Sequence, residues 1–229
     1  MLRKVYVWGD SIAKGIVFDA ARGRYVGLRE RSGFSRAAEA LHVEMENHAR
    51  FGMTSQRGRL ALENGLQSAE PGSPVLLSFG GNDVDYDWAA ISETPKERHD
   101  PHVLPEQFAE NMAQMVRDAR GAGLIPVLLT LPIDSERYFS WVTRGLEKGE
   151  NVLKWLGDVE RIYRTHRGYS EILCQVARTV NAHLIDVRGA FERAGDSLRR
   201  LCVDGIHPNA EGHALIGQAL TEYALAHGF

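Results

Sequence analysis

Three side chains that together can perform nucleophilic chemistry stand far apart in this chain: Ser11, Asp204 and His207. Ser11 closes the stretch VYVWGDS, in which four β-forming residues run into Gly9-Asp10-Ser11. A glycine followed by two small polar residues marks a turn, so the hydroxyl there is either a helix cap or a nucleophile. Asp204 and His207 lie three residues apart in DGIHPN, so one tight turn can orient both. Two more groups are suited to donating hydrogen bonds, the backbone amide of Gly52 in RFGMTS and the side-chain amide of Asn82 in GGND. Each signal is common by itself; their order along the chain carries the weight.

These residues need a frame. Strand-like runs occupy residues 4–9, 42–49, 74–80, 125–132 and 183–188, and three of them are nearly continuous in β-branched residues and leucine. Such runs read as strands covered on both faces. Helical patterns alternate with them. In residues 105–123, Pro105 suits a first helical position, Phe108, Met112, Met115, Val116 and Ala119 form an apolar stripe, and Gly121 and Gly123 close it. The last helix starts at an Asn209 cap and places Leu215, Ile216, Ala219, Leu220 and Tyr223 on one face. Alternating strands and helices predict an α/β fold: a three-layer α/β/α sandwich around a five-stranded parallel sheet. In such sheets ligands bind beyond the carboxyl ends of the strands, where the strand order reverses. Ser11 follows the first strand, Gly52 the second, Asn82 the third, and Asp204 and His207 come after the fifth. A single domain over residues 1–229 is expected, with insertions at about 84–104 and 134–170 near the site. The second insertion is rich in aromatics and reads equally as a lid or as extra helices packed on the domain.

Composition narrows the class. The 229 residues are 44% hydrophobic and 25% charged, with a net charge of −3. Mixed charge of this kind points to neither a nucleic acid nor a membrane surface as partner, and no apolar run approaches a membrane span. The first strand begins by residue 4, which leaves no room for a leader, and a cytoplasmic protein is expected. Cys174 and Cys202 are far from any metal-ligand spacing; they could pair, but two thiols in a chain of this size point to a reducing compartment.

The four blocks in this order resemble the SGNH/GDSL hydrolase superfamily, whose motifs supply Ser, Gly, Asn and His in sequence. GDSIAKG matches the first, Gly52 the second, GGND the third and DGIH the last, so the resemblance spans residues 9–207. It implies the flavodoxin-like fold of that superfamily and a serine esterase that needs no metal and no cofactor. By the same resemblance Ser11 attacks an ester carbonyl, His207 serves as base and then protonates the leaving alcohol, and Asp204 holds the imidazole. The amides of Ser11 and Gly52 and the side chain of Asn82 would then form the oxyanion hole. The Ser11 hydroxyl is expected to sit exposed at the sheet edge, near the positive end of a following helix.

Other residues have plainer readings. Asp10 and Asp83 brace their turns, His213 is a surface residue of the last helix, and the arginines of ERIYRTHR form a solvated helix face. His99 and His102 are two loop histidines without further ligands. DVDYD begins like a calcium loop but has Trp88 where glycine is required and Thr94 where glutamate is required. Asp85, Tyr86, Asp87 and Trp88 are candidate substrate contacts beside the site. The expected partner is a small-molecule ester, carrying either short acyl groups on sugars or longer fatty chains. Acyl transfer by the same triad and a non-catalytic binding module are the alternatives.

Overall fold

The structure, a computed structural model, describes residues 4–229 except for the side chains of residues 197 and 198. A parallel sheet of five strands forms its centre, in the order β4 (Glu44–Asn47), β1 (Lys4–Gly9), β5 (Pro74–Ser78), β6 (Ile125–Leu129), β7 (His183–Ile185). The chain moves outward from β1 to β4, then returns past β1 to β5, so the strand order reverses beside β1. Each strand lies inside the run expected for it. The α/β sandwich and its five parallel strands are as the sequence predicts.

β1 is buried on both sides, which explains its unbroken apolar run. Tyr6 and Trp8 enter one core with Leu62, Phe108, Met112 and Leu173; Val7 enters the other with Phe34, Ile216 and Leu220. The first core is covered by α2 (Ser55–Gly65), α4 (Pro105–Gly121) and α7 (Glu160–Thr179), the second by α1 (Gly33–Ala40), α8 (Val187–Ala194) and α10 (Ala210–His227). Pro105 is at the start of α4, and the Asn209 side chain accepts from the N–H groups of Glu211 and Gly212 at the start of α10.

Two expectations fail here. No helix follows Ser11. The chain instead folds into an antiparallel hairpin, β2 (Ile16–Asp19) and β3 (Arg24–Gly27), before α1 begins. Two β-forming runs, IVFD and RYVG, separated by AARG, were the available signal. His213 is not a surface residue. It is 0% exposed, accepts the Gly33 N–H at Nδ1, and burial lowers its pKa to about 4. The reason is helical spacing: His213 shares the inward stripe of α10 with Ile216, Gly217 and Leu220, against α1.

The two insertions build a third apolar cluster. α3 (Trp88–Glu93), α5 (Ser135–Thr143) and α6 (Gly149–Leu156) meet the start of α7 through Trp88, Ile91, Tyr138, Val152, Leu156 and Ile162. Residues 134–170 fold into helices packed on the domain, and Tyr138, Trp141 and Val142 among them line the cleft above Ser11. A short helix, α9 (Ser197–Arg200), precedes the DGIH loop. Cys174 and Cys202 are both free thiols, and Cys202 is buried.

Candidate active site

Gly9-Asp10-Ser11 leaves β1 next to β5, with the Asp10 N–H on the Ser78 carbonyl at 3.1 Å. Asp10 turns the chain by accepting the Ile12 N–H at Oδ1, 2.9 Å, and the Ile16 N–H reaches back to the Ser11 carbonyl at 2.9 Å. Ser11 is thus held at the carboxyl end of the sheet by its own turn. It is only 6% exposed, so it is recessed within a cleft rather than exposed at an edge. Asp10 is buried, and burial raises its pKa to about 7. Its bracing part is the one expected.

The DGIH loop brings the other two groups. Gly205 has φ +75°, and a Cβ there would lie 2.6 Å from the Asp134 carbonyl oxygen, so only glycine lets the loop pass under α5. The Asp204 Oδ1 accepts the N–H groups of Ile206 and His207 at 3.2 and 3.1 Å. Its Oδ2 lies 2.8 Å from His207 Nδ1, and His207 Nε2 lies 2.8 Å from the Ser11 hydroxyl. Burial pushes the Asp204 pKa up, but the His207 hydrogen bond and charge, with the two backbone donors, bring it below its ordinary value. The carboxylate therefore accepts from Nδ1–H, which leaves Nε2 as the lone pair facing the serine O–H. The three side chains separated by up to 196 residues form one continuous relay.

The Asn82 loop is clamped from two directions. Asp83 accepts the Ser55 N–H at 2.8 Å, while His102 donates its own N–H to the Asp85 carbonyl at 2.8 Å and sets its ring on the Asn82 carbonyl at 3.0 Å. Burial raises the Asp83 pKa to about 6. Asn82 Nδ2 donates one hydrogen to the Met53 carbonyl at 3.3 Å, leaving its second N–H for the cleft it lines. Gly52 has φ +68° and follows Phe51, which lines the cleft; Gly52 itself is not among the lining residues. Among the described residues no acceptor takes the backbone N–H of Ser11 or of Gly52.

The cleft above Ser11 has a volume of about 230 Å³ and opens to solvent. Of the loop candidates only Asp85 reaches it. Tyr86 and Trp88 line an adjoining apolar recess, and Asp87 caps α3 by accepting the Ala90 N–H. Asp85 receives three donors on one oxygen, Oδ1: the Tyr86 N–H at 2.9 Å, Trp88 Nε1–H at 2.7 Å, and the Tyr138 hydroxyl. The sequence reading missed most of the walls. Tyr25 of the hairpin lies 5.0 Å from the His207 ring, and Phe51 stacks over the same ring at 6.0 Å. Burial and the Asp204 carboxylate hold the Tyr25 phenol protonated. Trp141 of α5 completes an aromatic wall with Tyr25 and Phe18. Arg164 and Arg167 of ERIYRTHR face solvent as expected, but Arg161 is half-buried over the Trp155 ring and lines the recess, and His166 points inward and lines the cleft. Its signal was spacing, since Ile162, His166, Tyr169 and Leu173 share one helical stripe.

Residues 7–215 match the model of the GDSL-like Lipase/Acylhydrolase family. The chain belongs to this family. As a member it is one of a hydrolase family of esterases and lipases. Its fold is similar to that of Axe2, an acetylxylan esterase from Geobacillus stearothermophilus, with a TM-score of 0.65 at 19% identity over 99% of this chain and 94% of that one. It is similar also to a member of the lipolytic protein G-D-S-L family from Veillonella parvula DSM 2008, with a TM-score of 0.64 at 18% identity, 96% of this chain and 97% of the other. The psychrotrophic esterase EstA from Pseudoalteromonas sp. gives 0.63 at 17% identity, covering 98% and 97%. In sequence the chain is 24% identical over 190 residues to the uncharacterized lipoprotein YqeF of Bacillus subtilis, covering 80% of this chain and 69% of that one. No helix among the described residues is long and apolar enough to cross a membrane, and none of their His, Cys, Asp and Glu side chains form a group of three placed to hold a metal ion.

Proposed function

We propose that this GDSL-family protein is a serine esterase that hydrolyses a carboxylic ester through an acyl-Ser11 intermediate. The observation that carries this reading is the relay at 2.8 Å from Ser11 Oγ to His207 Nε2 and 2.8 Å from His207 Nδ1 to Asp204. A serine hydroxyl is a weak nucleophile at neutral pH, and a base at hydrogen-bond distance supplies what it lacks. His207 takes the Ser11 proton as Oγ attacks the carbonyl carbon, then gives it to the departing alcohol. Water attacks the acyl-enzyme by the reverse proton path and releases the acid. Asp204 keeps the Nδ1–H tautomer and stabilises the transient imidazolium. The donors for the developing oxyanion in this reading are the Ser11 and Gly52 N–H groups, which no acceptor takes among the described residues, and the second N–H of Asn82.

A fluorophosphonate serine-hydrolase probe tests the assignment. One adduct on the Ser11 peptide, absent from Ser11→Ala, is expected by mass spectrometry. A well-folded protein that takes no label, or takes it elsewhere, refutes it.

A further inference from the structure

His166 and Asp85 sit where the Ser11 cleft meets the apolar recess beside it, and both side chains line both spaces. His166 is 5% exposed, and its Nδ1 lies 2.9 Å from the Nη1 of Arg188. A guanidinium can only donate, so Nδ1 is the acceptor and the ring proton is on Nε2. Arg188 is itself fixed by the Leu131 carbonyl, by Glu192 and by the face of Tyr163. Burial and the Arg188 charge lower the His166 pKa to about 3, so the ring stays a neutral Nε2–H donor across the physiological range.

Asp85 offers the complement. Its three donors all converge on Oδ1, and Oδ2 has none among the described residues. Among the described residues, the unpartnered side-chain polar atoms sealed from solvent are Ser78 Oγ, Asp83 Oδ2, Arg188 Nη2 and His213 Nε2. Neither Asp85 Oδ2 nor His166 Nε2 is one of them, so neither atom is both unpartnered and sealed from solvent, and both residues line the cleft and the recess.

We infer that Asp85 Oδ2 and His166 Nε2–H form a subsite for an alcohol hydroxyl carried by the ester substrate. A hydroxyl donates one hydrogen bond and accepts another, so it satisfies both groups at once. An ammonium has no lone pair for Nε2–H, an anion is repelled by the carboxylate, and a bare alkyl group leaves both wall groups unpaired after displacing water. The inference rests on the esterase reading and adds its substrate class: hydroxylated esters, with the hydroxyl on either the alcohol or the acyl side.

Three esters of similar size separate the possibilities: propyl butyrate, glycerol monobutyrate, and propyl 3-hydroxybutyrate. The wild-type protein should show a kcat/KM about tenfold higher for at least one hydroxylated ester than for propyl butyrate, the size of one neutral hydrogen bond. Which of the two is preferred identifies the side that carries the hydroxyl. Asp85→Asn keeps the acceptor at the Oδ1 position and turns the free oxygen into a donor, so the ratio should fall to about one. His166→Phe should do the same, while His166→Gln, which can accept from Arg188 and donate into the cleft, should retain the preference. A ratio cancels any loss common to both substrates, so misplacement of the triad does not mimic the effect. No preference in the wild type, or a preference that survives Asp85→Asn, overturns the subsite and leaves the esterase standing. Absence of Ser11-dependent hydrolysis of all three overturns the esterase reading and the subsite with it.

Discussion

His207 and His166 reach the same cleft from different parts of the chain, one from the loop before α10 and the other from the middle of α7. Both are almost fully buried, at 3% and 5% exposure, and both have Nδ1 tied at 2.8 to 2.9 Å. What stands behind that nitrogen differs. Asp204 behind His207 is an acceptor, so the proton sits on Nδ1 and the free Nε2 lone pair faces Ser11. Arg188 behind His166 is a donor, so the proton sits on Nε2 and a second one is opposed by a fixed positive charge. The same imidazole presents a ring lone pair in one place and an N–H donor in the other. Residue type and burial do not separate them; the sign of the partner does.

Breaking the His207 side should have the largest effect. Ser11→Ala and His207→Gln should each lower kcat/KM for an aryl acetate by about 10⁴-fold or more, and Asp204→Asn should lower kcat by about 10⁴, with little change in melting temperature. A variant retaining a tenth of the activity would remove that residue from the relay. Breaking the corresponding partner of His166 should act elsewhere. Arg188→Gln should lower unfolding free energy by about 2 kcal/mol or more in denaturant titration, because the buried guanidinium joins Leu131, His166 and Glu192. A larger loss in turnover than in stability would place Arg188 in the chemistry instead.

A smaller catalytic effect is expected at Asn82. Asn82→Ala should lower kcat by about 10²–10³ with KM little changed, since its free N–H faces the cleft that holds the oxyanion. A rise in KM alone would make it a substrate contact.

The third buried histidine sharpens the contrast through stability alone. His213 has a folded pKa of about 4 against about 6.5 in an unfolded chain. The unfolded state therefore binds a proton between those values while the folded state does not, so this stability is present above about pH 6.5 and lost as pH falls toward 4. The difference in melting temperature between the wild type and His213→Gln should shift in favour of the variant across that window. A difference independent of pH would mean that His213 takes up its proton at the same pH in the folded protein as in the unfolded chain.

Legibility in the sequence followed the range of the signal. The placement of Ser11, Asn82, Asp204 and His207 after strands was readable because strand runs and turn residues are local, and Asp204 and His207 sit on one turn. Asn209 was readable as a cap for the same reason. Errors arose where a side chain's surroundings come from distant segments. Trp88 and Tyr86 were grouped with Asp85 as cleft contacts, yet the backbone turns them into the recess formed with α5, α6 and α7. His213 looked like a polar residue on an exposed face until α1 covered it. The hairpin that carries Tyr25 was overlooked because its two strands are only four residues each.

By itself, then, the sequence determined the alternating α/β pattern, the parallel sheet and the order in which serine, glycine, asparagine, aspartate and histidine arrive at its carboxyl end. Strand propensity, hydrophobic period and turn chemistry act over a few residues and are written in the order of the chain. Packing between distant segments decided which histidine faces a carboxylate and which a guanidinium. It also decided that Tyr25 and Phe51 meet around His207 with Trp141 against Tyr25, and that the donors of Asp85 converge on one of its oxygens. Those outcomes depend on contacts between segments tens to hundreds of residues apart, where burial and the charge of a neighbour, rather than the residue's own type, set its chemistry.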